Sequence, residues 1–360
     1  MRIALIRRNY AATGGAELYL SRLIAASAAA GHALPLFAEA WPQADTPARL
    51  HLIPPAGSRA TRPLHFAQSV RDLLQAESFD CVFSLERTLS QDVYRAGDGV
   101  HAAWLERRKD FAPWWKKTLI GRESFHRNMM ALERQTFNPA NTRRIIVNSE
   151  MVRREIEARF HFPPDRIHLV RNGVEVARFQ QADRAAARAR WNLLDNEFAV
   201  LFVGSGWERK GLKYLLDAIR FLPSEKYKLL VAGTGRKPAR VPHNVRFLGA
   251  MEDVEQVYAA ADLFVFLPIY EPSANVCIEA LAAGLPVVTT VSNGAAELID
   301  DKINGSVLRD PRDVRDVIGA IEYWATQRRR IAISPETVSL EHNVAETLKV
   351  LELAARERKS

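Results

Sequence analysis

The sequence predicts an α/β protein of two doubly wound domains, and three observations carry that expectation. At 360 residues the chain exceeds what one hydrophobic core comfortably serves. Short apolar runs alternate with helical patterns, the signature of a parallel sheet with helical crossovers. The alternation stops at a polar, alanine- and arginine-rich stretch, "RNGVEVARFQQADRAAARARW" (171–191), and then starts again.

In the first half, "RIALI" (2–6) reads as a strand and "AELYLSRLIAASAAAGH" (16–32) as an apolar-faced helix ending at Gly31. "ALPLFA" (33–38) and "RLHLI" (49–53) read as strands, "LHFAQSVRDLLQAE" (64–77) as a helix and "DCVFSL" (80–85) as a strand. "RRIIVNS" (143–149) and "RIHLV" (166–170) are two further strands. Asn172-Gly173 reads as a turn that opens a helical connector. In the second half the strands are 198–204, 227–233, 245–249, 262–268 and 285–290. The helices are 211–222, 252–261, 274–283 and 312–330. The expected domains are therefore 1–170 and 171–340. The amphipathic segment of about 341–360 comes after the second set of strands is spent, free to return to the first domain.

Composition narrows the function classes. The apolar fraction is 48% and the charged fraction 26%, as in ordinary globular proteins. No run approaches the roughly 18 apolar residues of a membrane span. "MRIALIRRNY" reads as a first strand, because Arg7 and Arg8 break the apolar run too early for a signal peptide. Cys81 and Cys277 lie far apart with no metal-ligand spacing, so a cytoplasmic setting without structural zinc is expected. The net charge of +8 favours anionic partners. Nucleic acid is not among the expected ones, since no zinc-finger, helix-turn-helix or RNA-binding aromatic motif occurs.

In open α/β sheets ligands bind outside the carboxyl ends of the strands, so the loops there matter most. In "NYAATGGAELYL", Gly14 and Gly15 follow the first strand and open a helix, where close backbone approach and free amides suit an anion. The dinucleotide fingerprint Gly-x-Gly-x-x-Gly is absent. In "VGSGWERKGLKYLL", Gly204 and Gly206 follow a strand and Arg209-Lys210-Gly211 lead into a helix. Two adjacent cations there suit a diphosphate. In "YEPSANVCIEALAAGLP" (270–286), Ser273 is expected to cap a helix beginning at Ala274, leaving the amides of 274–276 as free donors. Asn275 and Glu279 share a face of that helix. A carboxylate in so apolar a helix needs a partner, and the vicinal diol of a ribose supplies two hydroxyl donors. Glu271, in the loop before the helix, is placed for sugar hydroxyls. Together the loops describe a sugar-nucleotide site.

These residues resemble a known family. Gly14-Gly15-x-Glu17, Gly204-x4-Arg209-Lys210-Gly211 and Glu271-x7-Glu279, followed by Ala280 and Gly284-x-Pro286, are similar to the retaining glycosyltransferases of family 4. "AADLFVFLPIYEPSANVCIEALAAGLPVVTT" and "ALERQTF" (131–137) resemble in particular the lipopolysaccharide core enzymes of the glucosyltransferase I type. Where many members carry Gly or Phe-Gly after the first glutamate, this chain has Pro272-Ser273. The resemblance implies the GT-B fold, two facing Rossmann-like domains with an interdomain cleft. It implies transfer with retention from a nucleotide sugar, with no cofactor and no metal. A UDP-sugar is the working expectation, the base staying open among uracil, adenine and guanine. It further implies that Arg209 and Lys210 offset charge on the departing diphosphate, that Glu279 holds the ribose and Glu271 the donor sugar, and that Gly15 lets its loop close over the phosphate. In "YRAGDGVHAAW" (94–104), Asp98 matches an aspartate of the closer subgroup. Asp98 or His101 is expected to orient the acceptor hydroxyl or take its proton.

Residues 101–134 hold eight Lys or Arg against four acids, with Trp114-Trp115 directly before Lys116-Lys117. Tryptophan beside lysine is bilayer-interface chemistry. The expected partners are thus a nucleotide sugar, a lipid-linked oligosaccharide acceptor and an anionic membrane surface. The expected location is peripheral, on the cytoplasmic face of the inner membrane. A nucleotide-sugar epimerase of the same fold and an idle sugar-nucleotide-binding subunit are the competing readings.

Overall fold

The computed structural model describes residues 1–9, 15–41 and 49–359. The chain divides into two compact units, Met1–Arg171 with Leu340–Ser360, and Asn172–Ser339.

The first unit contains β1 (Ile3–Ile6), α1 (Gly15–Ala29), β2 (Leu36–Ala38), β3 (Leu50–Leu52), α2 (Arg62–Gln75), β4 (Cys81–Ser84) and β5 (Gln91–Arg95). It continues with α3 (His101–Asp110), α4 (Trp114–Lys117), α5 (Ser124–Thr136), β6 (Thr142–Val147), α6 (Glu150–Phe160) and β7 (Ile167–Leu169). Among the described residues its seven strands are all parallel, in the order β3-β2-β1-β4-β5-β6-β7. Both faces of the sheet are covered, so β1 is buried at every residue. Ile3 and Leu5 face one core, Ala4 and Ile6 the other.

The second unit contains α7 (Val176–Gln180), α8 (Arg184–Arg190), β8 (Phe198–Val203), α9 (Leu212–Ile219), β9 (Tyr227–Ala232), β10 (Val245–Gly249) and α10 (Val254–Ala260). There follow β11 (Leu263–Val265), α11 (Asn275–Ala282), β12 (Val287–Thr290), β13 (Gly305–Leu308), α12 (Val314–Gln327) and α13 (Pro335–Val338). Its six parallel strands run β10-β9-β8-β11-β12-β13 around a single large core.

The chain then returns to the first unit as α14 (Leu340–Lys359). Leu351 and Ala354 are fully buried in the core that holds Ile3 and Leu5. Tyr19 of α1 donates its hydroxyl to Thr347 at 3.2 Å, and Arg358 pairs with the buried Asp92 at 2.6 Å. The division falls two residues after β7 ends: Arg171 stays with the first unit, its carbonyl bonded by the Asn343 side chain of α14.

Three local readings differ from the structure. Asn172-Gly173 is not a turn; the backbone runs on, and Val174 pairs with Ser339. The connector is two helices, broken where Asp183 accepts the amides of Ala185 and Ala186 and so starts α8 afresh. β5 and β13 escaped the apolar-run search. β5 begins Gln91-Asp92, both buried yet polar, because side-chain hydrogen bonds satisfy them.

Candidate functional site

The second unit gathers the donor-type residues. Gly204 closes β8 with φ of +148°, and a Cβ there would lie 3.0 Å from Lys210 Nζ. Glycine therefore leaves the space that the lysine occupies. Gly211 has φ of +77°, and its missing side chain would fall 1.7 Å from the Leu267 carbonyl. The Arg209-Lys210 loop is thereby pressed against the chain leaving β11, and Ile269 N–H donates to the Arg209 carbonyl at 3.1 Å.

Glu271 is held from both sides. Its N–H donates to the Ser292 carbonyl and its own carbonyl accepts Gly294 N–H, both at 2.9 Å. Arg209 Nη1 donates to Glu271 Oε2 at 2.8 Å and to the Tyr270 carbonyl at 3.1 Å. The Lys210 ammonium lies within electrostatic reach of Glu271, Arg209 and Glu279. Burial pushes Lys210 below the ordinary lysine value, and Glu271 opposes that shift. Two cations and two carboxylates therefore share one edge of the sheet.

Glu279, on α11, is half-buried. Burial holds its carboxyl above the usual range, opposed first by the hydroxyl of Tyr258, which donates to Oε2 at 2.9 Å. Tyr258 is fully buried and was missed in the sequence, where it reads as one more apolar residue of α10.

The cap of α11 differs from expectation. The helix starts at Asn275, Ala274 is its N-cap residue and no side chain caps it. Ser273 is buried and lies one position too early. Nor is the Ala274 amide free: it donates to Asn293 Oδ1 at 3.2 Å. Among the described residues, the amides of Asn275 and Val276 keep no acceptor, so the donor set shrinks to those two. Asn275 Oδ1 accepts from Asn172 Nδ2 at 2.7 Å. Asn293 is a second residue that sequence reading missed. Almost wholly buried, it also accepts Ala295 N–H and donates to Thr289 and Cys277, binding the loops after β11 and β12 together.

In the first unit, Asp98 is exposed in a turn between β5 and α3, with Gly99 at φ of +68°. His101 is the first residue of α3. Its Nε2 lies 3.1 Å from Nδ1 of His126, so that nitrogen is already engaged. Burial, then Arg87 and His126, push His101 down to about 4, so it is neutral at physiological pH. The turn is anchored by Glu133, again unnoticed as a site residue in the sequence. Its buried carboxylate accepts the amides of His101 (2.6 Å) and Ala102 (3.1 Å) at the start of α3 and pairs with Arg87. Arg87 donates in turn to the Gly99 carbonyl at 2.7 Å. A carboxylate at a helix N-terminus meets both the free amides and the positive dipole end. Gly14 lies outside the described residues, and Gly15 opens α1.

Two parallel α/β units, one of them carrying clustered cations and carboxylates beside its strand ends, have the architecture of GT-B glycosyltransferases. Comparison with known proteins gives the family. The description "Glycosyltransferase Family 4" matches residues 13–178, and "Glycosyl transferases group 1" matches residues 197–327. The lipopolysaccharide glucosyltransferase WaaG of Escherichia coli (strain K12) is 25% identical over 376 aligned positions, covering 97% of this chain and 98% of that protein. The crystal structure of WaaG superposes with a TM-score of 0.76 at 24% identity, covering 99% of this chain and 98% of the other. The Anabaena HepE structure in complex with UDP-glucose gives a TM-score of 0.71 at 16% identity over 98% of this chain and 100% of its own. The chain thus carries a family 4 and a group 1 glycosyltransferase domain and is similar along nearly its whole length to a lipopolysaccharide glucosyltransferase.

Proposed function

We propose that the protein moves a hexose or heptose, with retention, from a nucleotide sugar to a lipopolysaccharide-core or related lipid-linked glycan. The observation that carries this reading is the meeting of Arg209, Lys210, Glu271 and Glu279 at one sheet edge. Arg209 and Lys210 offset the charge that builds on the leaving diphosphate, commonly the largest catalytic contribution. Glu279, oriented by Tyr258, accepts the two ribose hydroxyls, and the amides of Asn275 and Val276 assist the phosphate. Glu271, its geometry fixed by Arg209, meets the donor sugar. Asp98 faces solvent and receives the acceptor hydroxyl; His101 contributes its Nδ1 side. HepE was solved with UDP-glucose, which favours UDP as the nucleotide. No metal or cofactor is assigned to the reaction.

The membrane reading has its own support. Trp114 and Trp115 are 79% and 58% exposed, and Leu119 is 61% exposed, beside Lys116 and Lys117. Apolar rings left in water next to cations fit an anionic bilayer interface. No helix among the described residues is long and apolar enough to cross a membrane. The proposed location is therefore peripheral, on the cytoplasmic face of the inner membrane.

The test is a titration of the purified protein with UDP, ADP and GDP and their sugar conjugates, followed by thermal stabilisation. Anomeric analysis of the product by NMR follows for the preferred donor. Preference for one base, weakened by Glu279→Ala and Lys210→Ala, is expected. No stabilisation by any nucleotide would overturn the reading.

A further inference from the structure

In the first unit β4 runs between β1 and β5. Residues just past β4 therefore sit between the exits of the two strands that lead to Arg7-Arg8 and to Asp98. Glu86 is there. Its Oε1 accepts Arg7 Nη1–H and the backbone N–H of Arg8, each at 3.3 Å. Ser84 pins its backbone, donating to the Glu86 carbonyl at 2.6 Å and accepting its amide at 3.2 Å. Burial raises the Glu86 carboxyl above the usual range; Arg7 and, more weakly, the Arg8 charge oppose that, and nearby Asp98 adds to it.

Arg8 is the anomaly of this edge. Its Nε is buried and has no hydrogen-bond acceptor. Among the described residues, no carboxylate lies within ion-pair distance of its guanidinium, although acids are close by. Glu86 is engaged by Arg7, and Glu39, whose amide donates to the Arg8 carbonyl, is engaged by Arg62 at 2.8 Å. Arg8 is half-buried, and a guanidinium whose Nε is buried without an acceptor is a costly arrangement that a native chain keeps for a reason. Its place, at the carboxyl edge of a parallel sheet, is where ligands bind.

We infer that Arg8 binds an acidic substituent, a phosphate monoester or a carboxylate, on the acceptor sugar, while Glu86 and Asp98 receive hydroxyls of the same sugar. The acceptor is thus an acidic sugar rather than a neutral one. This rests on the glycosyltransferase reading and names the acceptor class for it. A guanidinium is suited to either oxyanion, since its fork matches both. The donor diphosphate has its own cations in Arg209 and Lys210.

The experiment uses the full chain and four probes: mannose, mannose 6-phosphate, glucuronate and inorganic phosphate. Binding is read by ligand-observed NMR and thermal stabilisation, with UDP titrated in parallel. Wild type, Arg8→Gln, Arg8→Lys and Glu86→Gln are compared. One of the two acidic sugars is expected to bind at least tenfold more tightly than mannose, and which one does so separates phosphate from carboxylate. Arg8→Gln should remove that preference, Arg8→Lys should restore part of it, and Glu86→Gln should weaken every sugar probe but not inorganic phosphate. UDP binding should not change in any variant. Unchanged acidic-sugar binding in Arg8→Gln overturns the proposal. So does a loss of UDP affinity in Arg8→Gln, which moves Arg8 to the donor, and so does inorganic phosphate matching the acidic sugars, which leaves a bare ion site. Failure of UDP to bind the wild type would count instead against the glycosyltransferase reading, while the Arg8-dependent preference is read separately.

Discussion

Tyr258→Phe deletes one oxygen and leaves the packing of α10 in place. The ring keeps its edge contact with Phe179 at 5.5 Å and its tilted contact with Phe264 at 5.7 Å. What disappears is the hydroxyl shared between Glu279 Oε2 at 2.9 Å and the Val276 carbonyl at 3.1 Å. A hydrogen bond to a charged group contributes about 1.5–3 kcal/mol. Only the share that aims the carboxylate reaches the ligand. If roughly half does so, nucleotide affinity falls about 3- to 10-fold. The pH dependence is the sharper readout. Burial already holds the Glu279 carboxyl high, and the Tyr258 bond opposes this, so its removal raises the carboxyl further. A protonated carboxyl is a poorer acceptor for a diol. Affinity should therefore weaken on acidification, and in the variant the weakening should begin at higher pH. The sign for stability is opposite. Between the ordinary carboxylate value and the raised one, the folded form holds more protons than the unfolded form. Stability of the ligand-free protein is thus greatest below that window and declines as pH rises through it, over a wider span in the variant. Calorimetric titration with UDP from about pH 5 to pH 8, with urea denaturation alongside, measures both. Wild-type UDP affinity at every pH in Tyr258→Phe, together with an unaffected Glu279→Ala, would refute the ribose assignment.

Other expectations follow from the same geometry. Gly211→Ala combines positive φ with a Cβ driven into the Leu267 carbonyl, and should cost about 2 kcal/mol or more in denaturant titrations. Glu133→Ala strands the buried Arg87 and uncaps α3, a loss of about 3–5 kcal/mol by the same measurement, with Glu133→Gln milder. His101 is depressed to about 4 in the fold against about 6.5 when unfolded, so its share of stability is present above the unfolded value and is lost as pH falls toward the folded one. His101→Gln should flatten acid unfolding in that window, followed by circular dichroism. Replacing Trp114 and Trp115 together by alanine should reduce flotation with anionic vesicles several-fold without moving the melting temperature, because both rings are exposed. Equal flotation would remove the membrane assignment.

The sheets were legible because their central strands are unbroken apolar runs, such as "FAVLFV" (198–203), buried almost throughout. β5 was not, since Gln91 and Asp92 reach the interior through hydrogen bonds that no hydropathy pattern encodes. The candidate site residues stood out as motifs, Arg209-Lys210 and Glu271-x7-Glu279, with glycines that the backbone does require at 204 and 211. Their supports did not. Tyr258, Asn293 and Glu133 act across 19 or more residues of chain on Glu279, Ala274 and His101, and a partner at that distance leaves no local signature. The Ser273 cap failed for a related reason. Asn293, from the neighbouring loop, takes the amide of Ala274, and the helix begins one residue later.

The path of α14 bears on how the chain is made. The core around Ile3 and Leu5 is completed by Leu351 and Ala354, more than 340 positions downstream. During vectorial synthesis the first unit thus waits with an open seam while the whole of 172–339 emerges. That second stretch needs no such delay. Its two ends meet, Val174 N–H donating to the Val338 carbonyl at 2.8 Å, so it closes on itself. On the ribosome the order of maturation should run against the order of translation. The later-made unit folds first, and the earlier-made one depends on a final helix that a stalled or clipped chain would never deliver.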